Sequence, residues 1–342
     1  MQKGGGISGN LQNFIKERCQ VEAPDVSIVE TSSLVALEFI KGNPTCIVNL
    51  RPFNKHRYIN QVLQLVNGKL EIGGKFICCV ETLGTRNARL KAKYNWFFFS
   101  VIFIFEFLFH RVMPKLWGTK KLYFYLTKGQ ARIISKAEAL GRLVSCGFDI
   151  VSFDREGGLM FIECVKVGEP LWNVKPSYGP IYKMPRLGKE GKMIGVYKFR
   201  TMYPYSEFLH DYILKINGYA ETGKPKEDFR LTPWGKWMRK YWVDELPQLI
   251  NVIKGEMKIL GVRPVSMRYS QHIPEELRLL RFRHKPGCIP PYVALNRKGS
   301  KEDVMQAETE YLLMKEKHPY TTDTILFFKA LFNILIRQKR SA

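Results

Sequence analysis

Acidic residues are scarce in this chain. Against 54 lysines and arginines stand 31 aspartates and glutamates, a formal net charge of +23 over 342 residues. A surface tuned only for solubility mixes the two signs more evenly. The imbalance points instead to a polyanionic partner: nucleic acid, an anionic bilayer face or phosphorylated substrates. A nucleic-acid binder would rest on net charge alone, because no recognised nucleic-acid motif accompanies it, and no such partner is expected. The basic residues are interleaved with bulky apolar ones, which favours a membrane surface.

Metal-site patterning is missing as well. Cys19, Cys46, Cys78, Cys79, Cys146, Cys164 and Cys288 form no Cys-x-x-Cys pair, have no histidine at ligand spacing and are odd in number. This argues against a disulfide framework or structural zinc and for reduced thiols facing a cytoplasm. His210, His272 and His284 stand isolated and are assigned no catalysis. The opening Met1-Gln2-Lys3-Gly4-Gly5-Gly6 has no apolar core, so no signal peptide is expected. No glycine-rich turn follows a first strand with an acid ~20 residues further on, as a nucleotide-type cofactor requires. Gly4–Gly6 precede no strand.

Long apolar runs are also short of a bilayer. The densest, Trp96 to Phe109, falls below the ~20 residues that span one. His110, Arg111, Pro114, Lys115, Lys120 and Lys121 follow it. The segment from about 94 to 117 reads as a re-entrant or interfacial membrane element, with Trp96, Phe98, Phe103 and Phe107 in lipid and Pro114 bending or ending the helix. A buried core helix is the competing reading. Glu106, costly in lipid, should face protein or the bilayer edge. Leu277–Lys285 and Ile325–Ile336, the latter followed by Arg337, Lys339 and Arg340, mix apolar and cationic groups in the same way. Together they point to a protein lying on an anionic leaflet with its bulk on the cytoplasmic side.

The pattern of elements is α/β. Residues 1–166 alternate strands (Cys46–Leu50, Phe76–Val80, Leu159–Cys164) with helical stretches (Tyr58–Val66, Lys136–Val144), and residues 167–190, rich in Pro, Gly and Lys, connect to a second domain over 167–342. Leu70-x-x-Gly73-Gly74-x-Phe76, the helix closing at Gly147-Phe148 and the hairpin after it resemble the second half of a class I methyltransferase domain, over about residues 45–165. The resemblance implies a degenerate Rossmann-like partial domain; lacking the glycine-rich turn, it is expected to bind no S-adenosylmethionine.

The chemistry concentrates at Asp244-Glu245-Leu246-Pro247-Gln248-Leu249, followed by Asn251 and Gly255. Leu246, Leu249, Ile250 and Ile253 recur at helical spacing, Pro247 fits a first turn and Gly255 a stop. Two carboxylates therefore lie beside unpaired amides, where a phosphate can be held next to a nucleophile. Taken alone, Asp244 is a helix cap. Lys198, Arg200, Arg230, Arg239, Lys240 and Arg263 flank the pair, as a diphosphate requires and a cap does not. Arg239 and Lys240 read equally as phosphate ligands or as a solvated face. Asp323 reads as a cap of the last helix rather than a metal ligand.

Lys198-Phe199-Arg200-Thr201-Met202, Asp228-x-Arg230-x-Thr232-x-x-Gly235, Asp244-Glu245-Leu246-Pro247-Gln248 through Gly255-Glu256-Met257, and Arg263-Pro264 arrive in one order over about residues 180–270. In this the second half resembles the bacterial sugar transferases, monotopic phosphoglycosyl transferases acting on polyprenyl phosphate. The resemblance implies an α+β catalytic domain with amphipathic interfacial helices. It implies a two-step, Mg²⁺-dependent transfer of sugar-1-phosphate from a nucleoside-diphosphate sugar, with a UDP-sugar favoured, to a polyprenyl phosphate such as undecaprenyl phosphate. Such a step initiates exopolysaccharide, O-antigen or glycoconjugate synthesis. By position Asp244 is the nucleophile and Glu245 its catalytic partner in metal and proton handling, the two together being the metal ligands. Lys198 or Arg200 and Arg263 fall where the family neutralises phosphates, and Arg230 and Arg239 join them as candidates. Val262, where many members have a first Pro, and Lys285-Pro286-Gly287-Cys288-Ile289-Pro290-Pro291 depart from the pattern without touching the carboxylates. A non-catalytic membrane-bound scaffold is the alternative, and a homo-oligomer is left open.

Overall fold

A computed structural model describes residues 25–337 apart from 32, 41, 130–131, 173, 175–177, 219–224 and 299. Gly4–Gly6, Cys19, Lys339 and Arg340 lie outside the described residues. The chain divides into two compact units. The first holds the chain up to Tyr178 with Tyr203–Gly218 and Pro225–Arg230; the second holds Gly179–Met202 and the chain from Leu231 on. The single boundary expected at 166/167 becomes a division at 178/179, with two later segments returning to the first unit.

The first unit is built on β1 (Val26–Val29), β2 (Cys46–Asn49), β3 (Lys75–Val80), β4 (Phe148–Glu156) and β5 (Leu159–Lys166), in the order β1-β2-β3-β5-β4. The first three strands are parallel; β5 runs antiparallel to both β3 and β4. β2 and β3 are near-continuous apolar runs because both of their faces are covered. The helices are α1 (Leu34–Glu38), α2 (Ile59–Lys69), α3 (Leu83–Lys93), α4 (Trp96–Phe107), α5 (Trp117–Thr127), α6 (Lys136–Ser145) and α7 (His210–Asn217). Leu37, Leu63, Val66, Phe76, Leu140 and Phe148 join the core between helices and sheet. Cys46 is disulfide-bonded, which corrects the expectation of reduced thiols at this position. Cys78, Cys79, Cys146, Cys164 and Cys288 are free.

The apolar segment is longer than its composition suggests. α4 continues through a π-turn, Leu108–Val112, and a 3-10 turn, Met113–Lys115, into one helix of 20 residues. By length and composition it is sufficient to cross a membrane, which corrects the reading that the run is too short. The helix carries His110 and Arg111 in its last turns, where an apolar count stops. Leu116 is extended (φ −86°, ψ 139°), so the helix ends just past Pro114. Only 6% of its apolar window is buried, which removes the core-helix reading. Trp96 and Phe98 are exposed, Phe103 and Phe107 half-buried, and Pro114 is buried in protein rather than outward-facing. Glu106 does face protein, paired with Arg86.

The second unit contains a hairpin of β6 (Ile181–Leu187) and β7 (Met193–Phe199) and a parallel pair of β8 (Lys258–Leu260) and β9 (Gly287–Ile289). Around them lie α8 (Pro233–Lys240), α9 (Leu249–Ile253), α10 (Met267–Ser270), α11 (Glu275–Arg283), α12 (Pro291–Ala294), α13 (Lys301–Lys317) and α14 (Thr321–Leu335). Leu260, Val262, Leu277, Tyr292, Tyr311 and Leu326 share its core. α11 therefore buries Leu277 and Arg281, so the Leu277–Lys285 stretch is in part a core helix and not a uniform membrane face. α14 turns Leu326 and Ala330 inward and leaves Ile325, Phe328 and Phe332 exposed. Asp323 is no cap: it accepts from Lys315 Nζ at 2.7 Å, Tyr311 Oη at 2.8 Å and Lys258 Nζ at 3.1 Å.

The Thr232-x-x-Gly235 spacing has a local cause. Thr232 caps α8, accepting from Gly235 N at 2.9 Å, and donates to the Thr201 carbonyl at 3.1 Å. A Cβ on Gly235 would sit 2.2 Å from that carbonyl oxygen. Gly235→Ala is therefore expected to destabilise by about 1–3 kcal/mol. An unchanged thermal midpoint would contradict this packing.

Candidate active site

Trp242, left-handed at φ 60°, swings the chain into a 3-10 helix, Val243–Gln248, that runs on into α9. Gly255, at φ 71°, follows its end. Pro247 lies within the tight 3-10 turn rather than in an α first turn. The helix is amphipathic in an inverted sense. Leu246, Leu249 and Ile250 are exposed and Ile253 is 86% exposed, whereas Asp244, Pro247, Gln248 and Asn251 are buried.

Asn251 holds that polar face against β7. Its Oδ1 accepts from Tyr197 N at 3.0 Å, and its Nδ2 donates to the Gly195 carbonyl at 2.8 Å and to Glu256 Oε2 at 2.6 Å. This register sets Lys198 opposite the acid pair, with Nζ 2.9 Å from Glu245 Oε1. Arg263 reaches the same carboxylate at 3.3 Å. Asn251 stood inside the motif, yet nothing in its spacing announced this role.

The two carboxylates are tuned in opposite directions. Burial pushes the Glu245 carboxyl up, but Arg263 and Lys198, helped by Gln248, together hold it below the usual range. Burial pushes Asp244 up, and the neighbouring Glu245 charge adds to it; Lys198 and Arg239 offset only part. Among the described residues Asp244 has no ion-pair partner, so its charge is available to a ligand.

Arg239 donates from Nε to Thr201 Oγ1 at 3.0 Å and lies within electrostatic reach of Asp244, whereas Lys240 lies over the Tyr241 ring on an exposed face. Arg200 donates to the Gly179 carbonyl at 3.0 Å and stacks over Tyr182 at 5.4 Å. Tyr182, unforeseen from sequence, is a half-buried phenol under the influence of Arg200, Arg239 and Asp244. Arg230 is engaged by another carboxylate. It belongs to the first unit, is 5% exposed, and pairs with Asp228 through two bonds of 2.7 and 2.8 Å. A carboxylate two residues away takes a bidentate guanidinium before any ligand does.

Behind Arg263 lies a cavity of about 390 Å³ lined by Arg186, Ser266, Tyr269, Tyr292 and Met305 among others. Arg281 and Glu308, both about 5% exposed, pair in its wall, and Arg281 also donates to the Arg263 carbonyl. The departure at Cys288 does come near the carboxylates: burial first, then Glu245, pushes its thiol up to about 11. A Cβ on Gly287 would fall 2.1 Å from Gly261 N, so the Pro-Gly step is needed where β9 meets β8.

A Mg²⁺ site can be tested on these groups. Among the described residues no cluster of three potential ligands exists. Mg²⁺ takes one or two carboxylates and completes its shell with water and substrate oxygens. Asp244, with no competing ion pair, fits that demand beside Glu245, while Glu245 is largely engaged by two cations.

A family model described as bacterial sugar transferase matches residues 160–337, more than half of the chain. The chain belongs to the bacterial sugar transferase family. It is 40% identical over 108 residues to an uncharacterized sugar transferase of Haemophilus influenzae, covering 29% of this chain and 23% of the relative. It is 37% identical over 146 residues to galactosyl transferase CpsE of Streptococcus agalactiae, covering 41% and 32%. It is 32% identical over 133 residues to the UDP-glucose:undecaprenyl-phosphate glucose-1-phosphate transferase of Escherichia coli, covering 38% and 26%. The matches thus span less than a third of the length of these relatives. A solved structure, PigF with SAH, overlaps 47% of this chain and 45% of its own at a TM-score of 0.25 and 15% identity, which carries no inference.

Proposed function

We propose that this protein is a phosphoglycosyl transferase that moves sugar-1-phosphate from a UDP-sugar to undecaprenyl phosphate. The carrying observation is Asp244: nearly buried and unpaired, beside a Glu245 that holds Lys198 and Arg263 in place. An Asp244 oxygen attacks the sugar-bearing phosphorus. The bond to the nucleotide phosphate breaks, and the nucleoside monophosphate leaves with the electron pair. A lipid phosphate oxygen then attacks the acyl phosphate, and the bond to Asp244 breaks, restoring the carboxylate. Arg239, Arg263 and Lys198 stabilise the charge on the transferring group. Mg²⁺, held by Asp244 and Glu245 with substrate oxygens, would neutralise the diphosphate. Glu245, kept ionised, positions the two cations. The cavity behind Arg263 is the seat for the sugar or the nucleotide.

The reaction belongs at a membrane. The exposed stripe Leu246, Leu249, Ile250 and Ile253, with Trp237 of α8 and Tyr241 just past its end, supports contact between this face and the lipid that carries the acceptor. The apolar helix Trp96–Lys115 supports a monotopic anchor in the inner membrane with the catalytic unit in the cytoplasm. The first unit reads as a methyltransferase-like Rossmann remnant that binds no S-adenosylmethionine; isothermal titration detecting tight binding would refute that. Purified full-length protein in detergent, given a panel of UDP-sugars, Mg²⁺ and undecaprenyl phosphate, is expected to release UMP with at least one donor. Silence with every donor, and no phosphosugar-labelled peptide at Asp244, would favour a scaffold instead.

A further inference from the structure

The first unit buries a cationic cluster that the catalytic reading does not use. Arg111, 5% exposed, sits in the π-turn that extends the apolar helix, and Lys115 closes that helix. Arg132 precedes α6, and Arg142, 5% exposed, lies within it. One carboxylate faces them: Glu138, 1% exposed, with Lys115 Nζ at 3.3 Å and Arg142 Nη2 at 2.9 Å. Burial pushes that carboxyl up, yet the four cations hold it at about 2.

Among the described residues, four cations against one carboxylate leave a formal excess of three in a site shielded from water. Uncompensated buried charge is strongly unfavourable without a partner. Hydrogen bonding leaves the same remainder. Arg142 donates to Tyr178 Oη at 2.8 Å, Tyr205 Oη at 3.3 Å and Asn60 Oδ1, and Arg111 lies over the Tyr203 ring at 5.0 Å. Even so, Arg111 Nη1, Arg132 Nε and Arg142 Nε are buried with no hydrogen-bond partner among the described residues. The nearby ion pairs of the same unit are balanced: Glu81 and Glu106 meet Arg86 and Arg89. The contrast is one of charge, because Glu81 Oε1, Arg86 Nε and Glu106 Oε2 of that network likewise make no hydrogen bond among the described residues.

The surroundings indicate what carries the missing anion. Phe105 and Leu108 of the apolar helix and Leu122 and Leu126 of α5 are all more than half exposed. We propose that Arg111, Arg132, Arg142 and Lys115 bind the phosphate oxyanion of a phospholipid headgroup whose acyl chains lie along these two helices. A phosphate offers several acceptor oxygens to guanidinium donors at once. This site fixes the depth of the helix at the headgroup level and does not depend on the chemistry assigned to Asp244.

The test uses the full-length protein in dodecylmaltoside micelles, which contain no phosphate. Thermal midpoints are compared with no addition, with neutral diacylglycerol, with inorganic phosphate and with phosphatidylglycerol. Phosphatidylglycerol is expected to raise the midpoint by several degrees and the other additions little. Arg111→Gln is expected to weaken phosphatidylglycerol binding by about tenfold or more. Should that variant fail to fold, Arg132→Gln, at a less buried position, carries the same expectation. Equal stabilisation by inorganic phosphate would make the ligand a free ion and overturn the lipid assignment. No shift with either phosphate source, or a shift undiminished in the variants, would overturn the site itself.

Discussion

Asp244→Asn is expected to abolish transfer, by more than about a thousandfold, without lowering stability at neutral pH. The two halves of this expectation have one origin. Burial, with Glu245 beside it, holds the Asp244 carboxyl above its ordinary value. A carboxyl whose pKa is raised on folding binds its proton more tightly in the native state, so its ionisation works against the fold as pH rises above the unfolded value, ~3.9. Asparagine removes that opposition together with the nucleophile. Glu245 has the reverse sign. Its lowered pKa contributes stability that is present above the unfolded glutamate value and is lost as pH falls through the folded one. The acid limb of the rate profile should therefore track deprotonation of Asp244 and lie above the pH at which a free aspartate titrates. UMP release and thermal melts of the same preparations decide the matter. A variant keeping activity within tenfold, or melting well below wild type, would sink the assignment.

Arg281→Met should produce the largest loss of stability, about 3–5 kcal/mol, or on the order of 10 °C in Tm. Arg281 neutralises Glu308 in a wall where both are about 5% exposed, and it donates to the Arg263 carbonyl. Glu308 is already pushed up by burial against the pull of Arg281, so removing the guanidinium leaves a buried carboxyl that must take a proton or go unpaired. Arg263 also loses a backbone anchor while its side chain still faces Glu245. The double variant Arg281→Met, Glu308→Leu should recover most of the stability, since a matched apolar pair replaces a broken ionic one. If the double variant is as unstable as the single, the pair is not the cause. KM for the donor should rise in both variants, because the carbonyl anchor of Arg263 is missing in each.

The acid pair and two of its cations were legible in sequence because each sits in a short contiguous motif. Lys198 lies on a strand that Asn251 locks to the helix bearing Glu245, and Arg263 comes three residues after the end of β8. For Arg230 a sequence shows the guanidinium without showing which carboxylate has first claim, and Asp228 is two residues away. The Arg281–Glu308 pair was hidden by 27 residues of separation and by a run of alternating Leu and Arg that imitates a membrane face. Helical periodicity around Leu246 announced an amphipathic helix without telling which side is inside. The apolar segment was undercounted because a π-turn carries the helix through His110 and Arg111. The cationic cluster around Glu138 was invisible, since Arg111, Arg132 and Arg142 come together only when the apolar helix packs against α6.

The inverted helix at Val243–Ile253 also bears on engineering. Exchanging surface Leu and Ile for charged residues is an ordinary route to a better-behaved protein. Applied to Leu246, Leu249, Ile250 and Ile253, it should yield more soluble protein that folds normally, yet has parted company with its greasy acceptor. Solubility gained on this surface is purchased from turnover.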